Sequence, residues 1–231
     1  RLDPMFSYYG SKWRLAPEYP PSKHHLIIEP FAGSACYSLY WGVAYCNYLF
    51  SPPNVQLYDK NEKICMIWDY LINAKATEIK ALPLLESDEQ IPSHLCDEAR
   101  YLIGFWTTKG SNIPSNKMVG KNGEGRGYWS RQIKNRIAAQ LDHIRHWKVE
   151  CKCYTEIDNV KATWFIDPPY MNGGDRYVHS EIDFIQLGDW CKSRKGQVIV
   201  CENGDADWLD FKPFVKTKGT RQDTMEVIWH R

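Results

Sequence analysis

The residues with the most chemistry to offer are Asp167-Pro168-Pro169-Tyr170, which follow the apolar run Trp164-Phe165-Ile166. Three apolar residues in a row predict a strand buried on both faces and ending at the acid. Two prolines then fix φ and delete two backbone donors, so the chain leaves the sheet as a stiff, extended corner. In open α/β sheets ligands bind just outside the carboxyl ends of the strands. A carboxylate, an outward-facing carbonyl and an aromatic ring are thereby held close together. Such a set suits an exocyclic amino group on a nucleobase, whose nitrogen lone pair is delocalised into the ring. If Asp167 and the Pro168 carbonyl accept its two hydrogens, the nitrogen can pyramidalise and aim that lone pair at an electrophile. Tyr170 offers a face on which an everted base stacks. The tetrapeptide alone also fits a strand end followed by a proline turn.

The elements that position this corner read as a nucleotide-binding sheet. His25-Leu26-Ile27-Ile28-Glu29 is the first strand, Pro30 to Ala35 a turn of small residues, and Cys36 to about Leu49 an apolar helix. Gly33 lets the backbone approach a ligand closely, with a helix N-terminus facing it. Asn54 to Asp59 is the second strand; an acid closing it is placed to accept both ribose hydroxyls of a nucleoside, although Asp59 also fits a helix cap before Asn61-Glu62-Lys63. Helices are expected at roughly 76–86, 94–108 and 130–147, and another from Ser180 with Asp183 completing an approximate capping box. Lys148 to Tyr154 and Gln197 to Cys201 are further strands. Phe214 to Lys218 and Thr224 to Trp229 form a closing antiparallel pair. The fold class is α/β, a three-layer sandwich around a mostly parallel, Rossmann-like sheet with one antiparallel strand. No G-x-G-x-x-G occurs, which argues against a dehydrogenase.

Asp-Pro-Pro-Tyr resembles the catalytic motif of the amino-methylating DNA methyltransferases, which use S-adenosylmethionine. A leading Asp is typical of those acting on adenine N6, and a leading Ser of those acting on cytosine N4. The resemblance extends from Tyr8 to Trp229 and is closest to the Dam-like class, in which the cofactor motif precedes the catalytic one. By itself, Tyr8-Tyr9-Gly10-Ser11-Lys12 reads as an arm packed by its aromatics; the resemblance implies that Tyr8, Tyr9, Gly10 and Lys12 meet the methionine end of the cofactor. The family's Glu-Pro-Phe-x-Gly-x-Gly appears as Glu29-Pro30-Phe31-Ala32-Gly33-Ser34-Ala35, with Ala35 in place of the last glycine. This implies cofactor contacts from Glu29, Pro30, Phe31, Gly33 and Ser34, joined by Asp59 and Lys60. The family's acid-aromatic pair beside the adenine ring corresponds to Cys153-Tyr154; Tyr154 keeps the ring and Cys153 stands where an Asp is expected. Glu226 to Trp229 resembles the family's final strand. Asp167, Pro168, Pro169 and Tyr170 are the implied catalytic residues, with Asp167 also beside the cofactor.

Residues 75–130 read as a small target-recognition insertion between catalytic-domain segments 5–74 and 131–231. Between positions 109 and 136 there are seven bases against one acid, Glu124, in a chain of 29 basic and 28 acidic residues. Bases mixed with asparagines reach both phosphates and base edges, so Lys109, Asn112, Asn116, Lys117, Lys121, Arg126, Arg131 and Lys134 are the expected contacts to double-stranded DNA. The same composition also suits a solvated loop. Expected activity is methylation of adenine N6 in duplex DNA, as in restriction-modification. Cytosine N4, adenine in RNA, or a catalytically inactive binding relative are the alternatives.

Eight cysteines contain no C-x-x-C pair, and the histidines lack ligand spacing, so no metal is expected. No run of 18 apolar residues and no signal peptide are found, which predicts a soluble, cytoplasmic protein; the resemblance implies a bacterial or phage protein, expected as a monomer or weak dimer. Arg1 to Pro4 read as foreign to a natural start at Met5.

Overall fold

The computed structural model describes residues 1–43, 51–108, 110–119, 128–172, 177–217 and 224–231. The later part of the expected first helix, Lys109, Lys121 and Arg126 lie outside the described residues.

Seven strands build one sheet: β1 (Leu26–Glu29), β2 (Asn54–Asp59), β3 (Lys148–Cys151), β4 (Ala162–Ile166), β5 (Gly196–Asn203), β6 (Lys212–Thr217) and β7 (Thr224–His230). Their spatial order is β3-β2-β1-β4-β5-β7-β6. Neighbours from β3 through β5 are parallel, and β7 runs antiparallel to both β5 and β6. The chain is thus a mostly parallel, Rossmann-like α/β sheet, with the one antiparallel strand anticipated from the final apolar runs. Strand order reverses between β1 and β4, which pair Ile27 with Thr163 and Ile28 with Trp164.

The central strands read as continuous apolar runs because both faces are covered. Ile28, Trp164, Ile166, Val198 and Val200 face one apolar cluster, together with Leu187 and Cys191 of α6 (Phe184–Ser193). The alternate residues Ile27, Phe165, Ile199 and Cys201 face the other cluster. That second layer holds α1 (Cys36–Trp41), α2 (Glu62–Asn73), α3 (Ala76–Ala81), α4 (Asp97–Thr107) and α5 (Arg131–Gln140). The side-chain period of two is what separates the layers.

One helix cap decides between the two readings of Asp59, and one helix start differs from expectation. Asn61, not Asp59, caps α2, with Oδ1 accepting from Lys63 N at 3.2 Å. Helix α6 begins at Phe184, beyond the Ser180 start expected from sequence, because Asp183 is the cap and accepts from Gln186 N at 3.0 Å. The segment 75–130 shares the main core: Leu102, Phe105, Trp106 and Trp129 are buried in the same cluster as the sheet residues. Trp106 Nε1 donates to the Met5 carbonyl at 2.9 Å, and Trp129 Nε1 to the Pro83 carbonyl at 2.8 Å. Arg1–Pro4, read from sequence as foreign, are integrated too. Leu2 is buried and its N–H donates to Leu39 O, while Pro4 O accepts from Arg136. Among the described residues no helix is long and apolar enough to cross a membrane.

Candidate functional site

A cavity of about 220 Å³ lies at the carboxyl ends of β1, β2 and β4, where the strand order reverses. Ligands bind at that point in open α/β sheets because helix N-termini and strand ends converge there with no sheet atoms between them. The N-terminal arm forms one wall through Tyr8, Tyr9, Gly10, Ser11 and Lys12. Gly10 has φ 74, and a Cβ there would lie 2.0 Å from the Tyr177 hydroxyl, so only glycine fits.

The turn after β1 forms the floor. Glu29 is buried at the strand end, and its Oε1 accepts from Ser38 N at 2.8 Å. Burial pushes its carboxyl up to about 8, against the pull of the Ser38 bonds. Gly33 and Ala35 both take left-handed φ, 44 and 48. Gly33 N donates to Asp59 Oδ2 at 2.9 Å, and Asn61 N to Asp59 Oδ1 at 2.8 Å. Those bonds orient the Asp59 carboxylate, and each oxygen keeps a lone pair for a ligand hydroxyl. Burial raises its pKa, while the two N–H groups oppose the rise.

Phe31 and Tyr154 form an aromatic end, with ring centroids 5.5 Å apart. The Tyr154 hydroxyl donates to Gln186 Oε1 at 2.9 Å. Cys153 lines the same end, but its backbone N–H is taken by Glu156 Oε2 at 2.9 Å in a short helical turn. Asp183, Ile182 and Gln186 complete this end and were not singled out from sequence. The available signal was the start of α6, which the sequence reading placed at Ser180.

The corner after β4 sits opposite. Asp167 and Pro169 line the cavity. Pro30, Pro168 and Tyr170, also expected at the site, stand behind the lining. The Asp167 carboxyl is pushed up to about 6, first by burial and then by Glu226, against Lys12 and the Tyr170 hydroxyl. Lys12 Nζ lies 3.1 Å from Glu226 Oε1 and 4.4 Å from the centroid of the Tyr170 ring. Burial works against the Lys12 charge, but Asp167 and Glu226 outweigh it and carry its pKa up to about 12. The Tyr170 hydroxyl donates to Glu226 Oε2 at 2.8 Å. Met171 N donates to the buried Glu202 at 2.7 Å, and Asn203 Nδ2 to Asn172 O at 2.6 Å. The corner is therefore strapped to β5 and β7 by side chains the sequence reading left without a role. Tyr177, given none either, lines the cavity against Tyr8 and Tyr9 and bonds to Tyr9 O at 3.4 Å.

The expected DNA contacts divide. Arg131 and Asn116 are exposed. Asn112 is half-buried in the loop after α4, whose Ser111 carbonyl accepts from Tyr9 N at 3.1 Å, so this loop abuts the cavity wall. Lys117 pairs with Asp88 at 3.3 Å on the surface. Lys134 is a correction: it is buried, 8% exposed, and its ammonium is spent on the Leu82 carbonyl. Arg136, counted in the same basic stretch, bonds to Pro4 O and lies over the Trp106 ring. A basic residue on the inner face of an amphipathic helix snorkels to the nearest carbonyl, and composition alone does not separate the faces.

No protein-family model matches the chain, and no curated protein matches it in sequence. Among solved structures it is similar to "Putative methyltransferase yhhF from Escherichia coli", with 10% identity over 95% of this chain and 81% of that one, at a TM-score of 0.37.

Proposed function

We infer that the chain is an S-adenosylmethionine-dependent methyltransferase acting on the N6 amino group of adenine in double-stranded DNA. One observation carries the reading. The Asp167 carboxylate, set by a two-proline corner, opens into the same cavity as Asp59 and the Phe31–Tyr154 aromatic end. The donor set fits a cationic nucleoside. Asp59 has lone pairs for ribose hydroxyls, the two rings offer a stacking site for adenine, and Glu29 and Asp167 flank the end where a sulfonium would sit.

When bound, that cofactor supplies an electrophilic methyl carbon. Asp167 accepts a hydrogen from the target amine, so the nitrogen lone pair is turned out of conjugation and toward the methyl. With the cofactor bound, the amine nitrogen would take that methyl and the sulfonium sulfur would be the leaving group, keeping the bonding pair. The amine then bears a positive charge, its proton becomes acidic, and Asp167 takes it. Positioning of this kind contributes up to roughly 7–11 kcal/mol in favourable cases. Arg131, exposed at the first turn of α5, holds the duplex by its phosphates together with the bases that precede it in sequence, and the adenine is everted to reach the corner.

The test is incubation with methyl-labelled cofactor and unmethylated DNA, followed by digestion to nucleosides. Label in N6-methyldeoxyadenosine is expected. Label in cytidine, or only with RNA as acceptor, would move the substrate; label in no nucleoside would leave a binding protein.

A further inference from the structure

Glu226 enters the corner from β7, and the reaction above gives it no task. It is nonetheless built into the site: its side chain is 10% exposed, that of Lys12 is 11%, and its two oxygens are divided between Lys12 Nζ and the Tyr170 hydroxyl. With Lys12 4.4 Å from the Tyr170 ring centroid, the three side chains form a closed triangle. Asp167 lines the same cavity as Lys12, and its charge joins that of Glu226 in raising the Lys12 pKa. A buried ammonium deprived of one carboxylate turns to the other, because an unpaired charge is costly to bury.

We propose that Glu226 is a positioning residue for methyl transfer, holding Lys12 and Tyr170 so that the Asp167 carboxylate stays free for the target amine. The proposal rests on the reading above. A carboxylate engaged by an ammonium has fewer lone pairs to offer, and its negative charge is already cancelled when the amine becomes cationic. Glu226 removes both conflicts: it pairs with Lys12 itself and leaves the corner one negative charge in excess. Through the hydroxyl it also holds the Tyr170 ring in one orientation.

The test compares wild type with E226Q, K12M and K12M/E226Q, by labelled methyl transfer to unmethylated DNA and by the crystal structure of E226Q. E226Q is expected to lose about tenfold or more in kcat with donor KM within about twofold. K12M/E226Q is expected to be no worse than K12M, because one variant removes the ammonium that the other releases. In E226Q crystals, Lys12 Nζ should lie within hydrogen-bond distance of Asp167. An unchanged kcat, losses that multiply in the double variant, or Lys12 still seated on the side-chain amide that E226Q introduces would each overturn the proposal. Removing both charges together keeps the comparison readable if E226Q alone folds poorly. If the wild type labels no nucleoside, the functional reading fails on its own, and the Lys12 position in E226Q still decides what Glu226 holds.

Discussion

The cavity at the end of β4 and the basic stretch from 109 to 136 were both expected to carry function, and the molecule treats them differently. At the cavity, polar side chains are fixed by backbone geometry: Asp59 by two N–H groups, Glu29 by Ser38 N, and Asp167 by the proline corner. In the basic stretch, two of the described bases turn inward to carbonyls and one pairs with a neighbouring acid. Strand ends dictate where a side chain points; a charge count does not. The first prediction presses hardest on this contrast. Asp167→Ala should lower kcat by about 10²–10³, the range seen when one pre-set polar contact to a reacting group is lost, with a smaller loss of donor affinity by calorimetry because Asp167 also flanks the sulfonium end. Retained turnover would place the chemistry elsewhere in the cavity.

The second prediction concerns what the same burial does to stability. Folding raises the carboxyls of Asp167 from 3.8 to about 6, and of Glu29 and Glu202 from 4.5 to about 8. A carboxyl raised by folding binds its proton more tightly in the native state. Its stabilisation is full below the unfolded value near 4 and is lost as pH rises through the native value. These three groups therefore make the protein progressively less stable from about pH 4 to about pH 8, while activity rises through about pH 6 as Asp167 ionises. Asp167→Asn should raise stability at pH 8 by roughly 2 kcal/mol, allowing for partial solvent screening, and flatten part of the decline in a thermal-melt series. A parallel decline in wild type and variant would remove Asp167 from the account.

Ala35 gives the third, at about half that size. It occupies a left-handed conformation, φ 48, where an L side chain meets the following carbonyl. Ala35→Gly should stabilise by about 1 kcal/mol, less the entropy glycine loses on folding; a melting temperature unchanged or lowered would show that the strain is relieved elsewhere in the turn. Here the sequence was legible in kind: the motif that Glu29 to Ala35 resembles carries glycine at this position, and Ala35 has the left-handed φ that favours glycine. Thirteen of the fourteen expected cofactor positions line the cavity, Pro30 being the exception; Glu29, Gly33 and Asp59 were legible from strand ends and a tight turn, whereas Tyr8, Tyr9, Gly10, Lys12 and the Cys153-Tyr154 pair were reached only through the resemblance. Glu226 and Tyr177 were illegible for the opposite reason. Glu226 lies mid-strand, where nothing local separates a buried carboxylate from a solvent-facing one, and Tyr177 meets the cavity through Tyr8 and Tyr9, which are distant in sequence.

The smallest effect tests the other half of the contrast. Arg131 is exposed at the first turn of α5, whereas Lys134, one turn on, is buried against the Leu82 carbonyl. A counterion is released only by a charge that reaches a phosphate, and each such contact contributes about 0.9 to the slope of log affinity against log salt. Between about 50 and 200 mM salt one contact is therefore worth about threefold. Arg131→Ala should weaken duplex binding about threefold more at 50 mM than at 200 mM salt and reduce the slope by about 1. Lys134→Met should leave the slope unchanged and instead lower the melting temperature, because the Leu82 carbonyl loses its donor in a site water does not reach. Equal slope changes for the two variants would mean that Lys134 leaves the core on binding DNA. Charge count would then have been the better guide to this surface after all.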